Sequence, residues 1–454
     1  MASEEPTIPL FKVFMAAPAE LDTPVTSCLH SGYVTQGKKV EEFEDKLGRF
    51  FGNPRVLTLN SGTSGLHLAL HLLHKPDAAV DWPGLVENVD EVLTCPLTCT
   101  ATNWPILANR LRIKWVDADP STCNVDLADL ERKLSPTTKV IMVVHWGGTP
   151  VDLTGVAHIQ EVCLKRYGFR PMVIEDCAHA IGAEQAGRKL GCHGNLCVFS
   201  LQAIKHLTSI DGGLLLCPNN ALYERGKLVR WFGIDRNKRS GSGDFRMEPD
   251  IPEWGFKFHM NDVNATVGLA NLAHLPKILQ TCRANAKYYD AHLIQLPGVM
   301  QLAALPEGTQ SAWWLYTFRV PASWRAKFFA HMKQRSVMVS AVHQRNDVHS
   351  CVARFSSLLP QLNQLADEVV CIPGARPLHP SRSAQAHTSA PPLHPSQSAP
   401  SPLGHPPPSP ATCPPCSPCL LACALRGSLR GVDRCNPRAP SQWDGGCRRR
   451  SVRR

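Results

Sequence analysis

The chain has 454 residues, 43% of them hydrophobic, which allows two or more domains with ample core. Its formal charge of +10 is concentrated at one end: residues 375–454 carry eleven Arg against two Asp, a net +9, and leave about +1 for everything before them. The body reads as a nearly neutral globular protein with no specific nucleic-acid partner expected, and no apolar stretch approaches the length of a membrane span.

The N-terminus begins acidic at Glu4 and Glu5, and the apolar run Ile8 to Ala17 is broken by Lys12, against a secretory signal. Residues 20–52 read as a glycine-punctuated loop, Leu29 to Lys39, and then a helix from Val40 to Phe51. Val56 to Asn60 is strand-like, and Ser61-Gly-Thr-Ser-Gly65 turns into a helix from Leu66 to His74. Small residues at such a turn let backbone N–H groups approach an anion, and the helix dipole adds to the attraction. A strand from Glu91 feeds a helix near Trp104; a strand over Ile113 to Asp117, a helix over Leu127 to Leu134 and a strand over Val140 to His145 follow. This β-α-β rhythm predicts a mainly parallel sheet. After a helix over Leu153 to Tyr167 come a strand ending at Asp176, helical patterns over Ala265 to Leu279 and on to Leu293, and a strand over Ser311 to Val320. Helices over 324–334 and 354–366 and a strand over Glu368 to Pro373 complete the body.

Two stretches carry chemistry. Pro171-Met-Val-Ile-Glu-Asp-Cys-Ala-His-Ala180 presents Asp176 at a strand end, where open α/β sheets hold their sites. Phe199-Ser-Leu-Gln-Ala-Ile-Lys-His-Leu-Thr-Ser-Ile-Asp-Gly-Gly213 presents Lys205. A buried carboxylate needs a partner, and the protonated pyridine of a lysine-bound cofactor is one; together the stretches point to pyridoxal phosphate.

These motifs, with Asn60-Ser-Gly-Thr-Ser-Gly-Leu-His67, resemble the DegT/DnrJ/EryC1/StrS family of pyridoxal-phosphate-dependent sugar aminotransferases, with similarity from about Pro24 to Pro373. The resemblance implies an aspartate aminotransferase-like α/β fold (fold type I): a mainly parallel central sheet in a large domain, residues 1–250, then inter-domain helices and a smaller α+β domain, residues 251–373, incomplete at its end. It implies that Lys205 and Asp176 are catalytic and that Gly62, Thr63 and Ser200 bind the cofactor phosphate. Gln202 lines that pocket, and His179 touches the ring hydroxyl. Cys99 falls where a residue lies over the cofactor ring, either with its own thiol or with Trp104 reaching in from the next turn. His145-Trp-Gly-Gly148 resembles a strand-end motif taken as structural. Asn261 corresponds to a phosphate ligand supplied by the neighbouring subunit, which implies a homodimer with shared active sites. An amino acid, usually glutamate, donates the amino group, and a nucleotide-linked keto-sugar accepts it; the basic run Arg225 to Arg239 reads most simply as a solvated loop, with a contact from part of it to a substrate phosphate as the alternative. A sugar dehydratase of the same family is the alternative, but that branch has histidine at the lysine position. A second alternative is an impaired member that retains only partner surfaces. It is suggested by the incomplete domain and by Ile210, which replaces a glycine of the family pattern where a positive φ is required.

Residues 374–454 hold 16 Pro and six Cys with no Lys, Glu, Phe, Tyr, Ile or Met, and read as a disordered tail. Cys413-Pro-Pro-Cys-Ser-Pro-Cys419 lacks the paired Cys/His context of a zinc site, so no metal is expected. The twelve body cysteines are scattered singly, as in a reducing compartment, and a cytoplasmic enzyme fits.

Overall fold

A computed structural model describes residues 8–235, 250–293 and 295–374; the expected tail, its cysteines and the end of the basic run lie outside them. Helices α1 (Pro18–His30) and α2 (Lys38–Phe51) open the described chain. Helix α1 was not expected, because the residues before Leu29 carry an internal Pro24 and bury only Cys28. Helix α2 buries Val40, Phe43, Leu47 and Phe51 and ends at Gly52 in the left-handed conformation that glycine adopts without strain.

The central sheet has seven strands. In chain order they are β1 (Val56–Leu59), β2 (Glu91–Thr94), β3 (Arg112–Trp115), β4 (Thr138–Val144), β5 (Met172–Asp176), β8 (Leu196–Ser200) and β9 (Gly213–Leu216), with a short hairpin β6 (Glu184–Gln185) and β7 (Arg188–Lys189) between β5 and β8. Their spatial order is β1-β9-β8-β5-β4-β2-β3, and β9 alone runs antiparallel to its neighbours. Helices α3 (Gly62–Leu73), α4 (Thr100–Ala108), α5 (Leu127–Arg132), α6 (Leu153–Tyr167) and α7 (Asn220–Val229) accompany it. The strands are almost continuously buried, as a sheet covered on both faces requires.

The pattern expected as helix from Ala265 to Leu293 is two helices, α8 (Asp262–Leu272) and α9 (Leu275–Leu293). Pro276 sits in the first turn of α9, where its missing N–H is tolerated, and the chain breaks just before it. Leu275 and Leu279 belong to the core under the large sheet, whereas Ala286, Tyr289 and Leu293 belong to a second core with Phe318, Phe328 and Ile372. That core lies under an antiparallel sheet of β10 (Met300–Gln301), β11 (Leu315–Arg319) and β12 (Val369–Pro373), with α10 (Ala322–Gln334) against it. The helix expected over 354–366 is a 3-10 turn, Ser350–Phe355, followed by α11 (Pro360–Glu368), again opened by a proline.

Candidate active site

The carboxyl ends of β1, β8 and β5 converge on a cavity of about 880 Å³, whose far wall comes from residues 340–345 and Trp314. At its floor Asp176, 4% exposed, accepts from the Thr102 hydroxyl at 2.7 Å and from the Ala178 N–H at 3.0 Å. Thr102 Oγ1 in turn lies 2.7 Å from that of Thr98. Burial pushes the Asp176 carboxyl above its usual range, against the pull of Thr102, Ala178 and Lys205. Among the described residues no Lys, Arg or His forms an ion pair with Asp176, so its buried carboxylate could accept a cationic partner.

One side of the cavity is the N-terminus of α3. Ser61 caps it, its hydroxyl accepting the Ser64 N–H at 3.0 Å and its carbonyl the Gly65 N–H at 3.2 Å. The N–H groups of Gly62 and Thr63 precede any intrahelical acceptor, and both residues line the cavity together with Ser200 and Gln202. A Cβ on Gly62 would stand 3.2 Å from Ser200 Cβ, close enough that Ser200 would have to give by a few tenths of an ångström. Gly213 is tighter still: a Cβ there would meet the Ser61 carbonyl carbon at 2.3 Å.

Lys205 enters from the β8–β9 connection. Gln202 shapes that turn: its carbonyl accepts the Lys205 N–H at 2.9 Å and its Oε1 the Ile204 N–H at 3.1 Å. Burial brings the Lys205 amine down to about 8 from its ordinary 10.5, opposed by Asp176 and Cys99. Its Nζ lies 3.8 Å from the ring centroid of Trp314. The Trp314 ring stacks on His179 at 3.9 Å, and the His343 ring lies parallel to His179 at 5.7 Å. Burial, then the Lys205 charge, keeps His179 well below its usual range and takes His343 down to about 4. Nδ1 of His179 and Nε2 of His343 have no partner among the described residues.

Of the expected site residues, Gly62, Thr63, Cys99, Asp176, His179, Ser200, Gln202 and Lys205 all line this one cavity. Asn261 does not: it is the N-cap of α8, and its Oδ1 accepts the Asn264 N–H at 2.9 Å. The suggestion that Trp104 reaches over the site is corrected, because Trp104 packs edge-on against His349 while Cys99, the N-cap of α4, faces the cavity. Ile210 does take a positive φ, +72°, with its side chain turned to solvent. His145 does not line the cavity: its Nδ1 accepts the Val151 N–H at 2.9 Å and its Nε2 lies 3.0 Å from Glu175 Oε2. Thr102, Trp314, His343 and Arg345 also line the cavity and were not foreseen; Thr102 alone had a signal, one helical turn after Thr98 beside the Cys99 position.

A family model described as the DegT/DnrJ/EryC1/StrS aminotransferase family matches residues 17–385. The chain is 30% identical over 299 residues to the spore coat polysaccharide biosynthesis protein SpsC of Bacillus subtilis, covering 65% of this chain and 72% of SpsC. Among solved structures it resembles AtS13 from Actinomadura melliaura (46% identity, TM-score 0.75, 82% of this chain and 95% of AtS13). It also resembles the sugar aminotransferase CalS13 from Micromonospora echinospora (44% identity, TM-score 0.74, 81% and 95%). Among the described residues no helix is long and apolar enough to cross a membrane.

Proposed function

Since the chain belongs to the DegT/DnrJ/EryC1/StrS aminotransferase family, we propose that it moves an amino group from an amino acid, glutamate by preference, to a nucleotide-linked keto-sugar, using pyridoxal phosphate held on Lys205. The observation that carries this reading is the Lys205 amine in one cavity with the buried Asp176, which has no ion-pair partner among the described residues. Residues 1–250 are read as the cofactor-binding domain and 251–373 as the linking helices and smaller domain.

The residues present fit pyridoxal phosphate on three counts. The Asp176 carboxylate matches a protonated ring nitrogen, a Cβ on Gly62 would press on Ser200 where the phosphate would lie, and His179 Nδ1 has no partner among the described residues. When bound, the cofactor supplies a carbonyl for amine exchange and a cationic ring that withdraws electrons from the carbon being deprotonated. Asp176 keeps the ring nitrogen protonated. The Gly62 and Thr63 N–H groups and the Ser200 hydroxyl hold the phosphate, with the α3 dipole adding to the attraction. Lys205, once freed, would be the base that takes the proton from the donor's α-carbon and delivers it to the carbon on the cofactor side; its lowered pKa leaves a usable fraction of neutral amine near neutrality. His179 and His343, kept neutral by burial, can each offer a ring nitrogen to a hydroxyl without adding charge beside the cationic amine.

Loading the protein with pyridoxal phosphate, reducing with borohydride and mapping peptides should place the pyridoxyl group on Lys205. A label on another lysine, or none, rejects the reading. Asn261 is proposed to act across a homodimer. Mixing Asn261→Ala with Lys205→Ala subunits should then restore one good site per hybrid dimer, and hybrids no better than the parents would remove that role.

A further inference from the structure

Trp314 joins three separate parts of the chain where Lys205 sits. Its ring stacks on Phe11 at 4.6 Å and 23° and on His179 at 3.9 Å and 13°, and its Nε1–H donates to the Ile204 carbonyl at 2.9 Å. The Lys205 Nζ rests 3.8 Å from its ring centroid, and the Trp314 side chain itself is buried. A lysine tethered at Ile204–Lys205 and capped by that indole has a resting place independent of any bound molecule.

Resting on the reading of Lys205 as the cofactor-bearing amine, we propose that Trp314 is a positioning residue for the transfer step: its indole face holds the Lys205 ammonium whenever the amine is released, while its N–H fixes the turn that carries it. A released lysine has four rotatable bonds and a charge removed from water. An aromatic face returns part of the lost solvation and does so only for the cation, at one location. The other groups facing the amine are Asp176 at the end of β5 and Cys99 at the start of α4, which also favour the charged form. His179, His206 and His343 are held neutral by burial. Asp211, Arg325 and Arg345 line the same cavity, the two arginines paired with Asp367 and Asp347, and Lys12 borders a crevice on the far side of Lys205.

Competitive acetylation of the cofactor-free protein between pH 6 and 11, with mass-spectrometric mapping of the Lys205 peptide, reads the titration of this amine directly. Trp314→Leu removes the aromatic face and should lower the midpoint by about 0.5–1 unit. If Trp314 served only as packing, opening the site to water would move the midpoint the other way, toward an ordinary lysine. A rise or no change therefore overturns the proposal. Should Trp314→Leu fail to fold, a polyfluorinated tryptophan placed at 314 keeps the shape and drains the ring face. A midpoint that falls with fluorination supports the role, and one that stays in place overturns it. A pyridoxyl label on another lysine would reject the functional reading while leaving this titration intact, so the two failures are distinguishable.

Discussion

Replacing Thr102 by Val keeps the side-chain volume and removes one hydroxyl from the cavity floor. That hydroxyl donates to Asp176 at 2.7 Å and meets Thr98 Oγ1 at 2.7 Å. The other donor recorded to the carboxylate is the Ala178 N–H at 3.0 Å. A hydrogen bond to a buried charge contributes about 1.5–3 kcal/mol, and the orphaned Thr98 hydroxyl adds about 1 kcal/mol, so the variant should lose about 3 kcal/mol with Asp176 ionised. The pH dependence follows from the direction of the Asp176 shift. Its folded pKa is raised by burial, so holding it ionised opposes folding; the penalty is full above the folded pKa and vanishes as pH falls below the unfolded one. Thr102→Val raises the folded pKa further, and the deficit of the variant grows with pH, shrinking at low pH to the Thr98 share. Urea denaturation of the cofactor-free protein should show the midpoint about 1 M lower at pH 8, for a slope of about 3 kcal/mol/M, and a smaller loss at pH 5. An equal loss at both pH values, or none, would refute the placement of an ionised Asp176 on these two donors.

Asp176→Asn should lower turnover by orders of magnitude while cofactor remains bound through its phosphate contacts; undiminished turnover in steady-state assays contradicts the assigned role. Gly62→Ala should weaken cofactor binding about tenfold with little change in melting temperature, because the new Cβ presses on Ser200 while alanine suits a helix better than glycine; unaltered affinity would place the phosphate elsewhere. Attachment of pyridoxal phosphate to Lys205 needs the neutral amine, which titrates near about 8 instead of 10.5. The reconstitution rate should therefore climb close to tenfold per unit below pH 7 and level off above about pH 9; a climb continuing to pH 10 would mean an ordinary lysine.

What could be read in advance was what is local in the chain. Asp176, Ser200 and Lys205 lie within thirty residues of one another, at strand ends whose apolar runs announce them, and Gly62 and Thr63 sit at a strand-to-helix turn of small residues. Trp314 and His343 were out of reach because their role depends on how a second sheet docks against the first, and nothing in the alternation of Ser311 to Val320 says which ring faces a lysine. Thr102 looked like an ordinary helix residue, although it supplies one of the two donors to Asp176. The antiparallel entry of β9 escaped notice because the β-α-β rhythm of the preceding strands argues only for parallel neighbours. Helix α1 was missed for want of a regular apolar stripe, and the break before α9 was marked by Pro276 but outweighed by the helical pattern on both sides.

The antiparallel pairing of β8 with β9 bears on the order in which the site assembles. Their connection closes on itself, with Ser200 opposite Gly213, Leu201 N–H bonded to the Gly212 carbonyl and Ser209 N–H to the Leu201 carbonyl. Such a short loop loses little entropy on closing, whereas the Trp314 bond to Ile204 spans 110 residues and waits for the second sheet. On loop-closure entropy alone, Lys205 and Ser200 are expected in register before Trp314 and residues 340–345 close over them. Exchange of the Trp314 indole N–H, bonded to the Ile204 carbonyl, should therefore outpace that of the Leu201 amide in the β8–β9 pairing, and the reverse order would refute this reading.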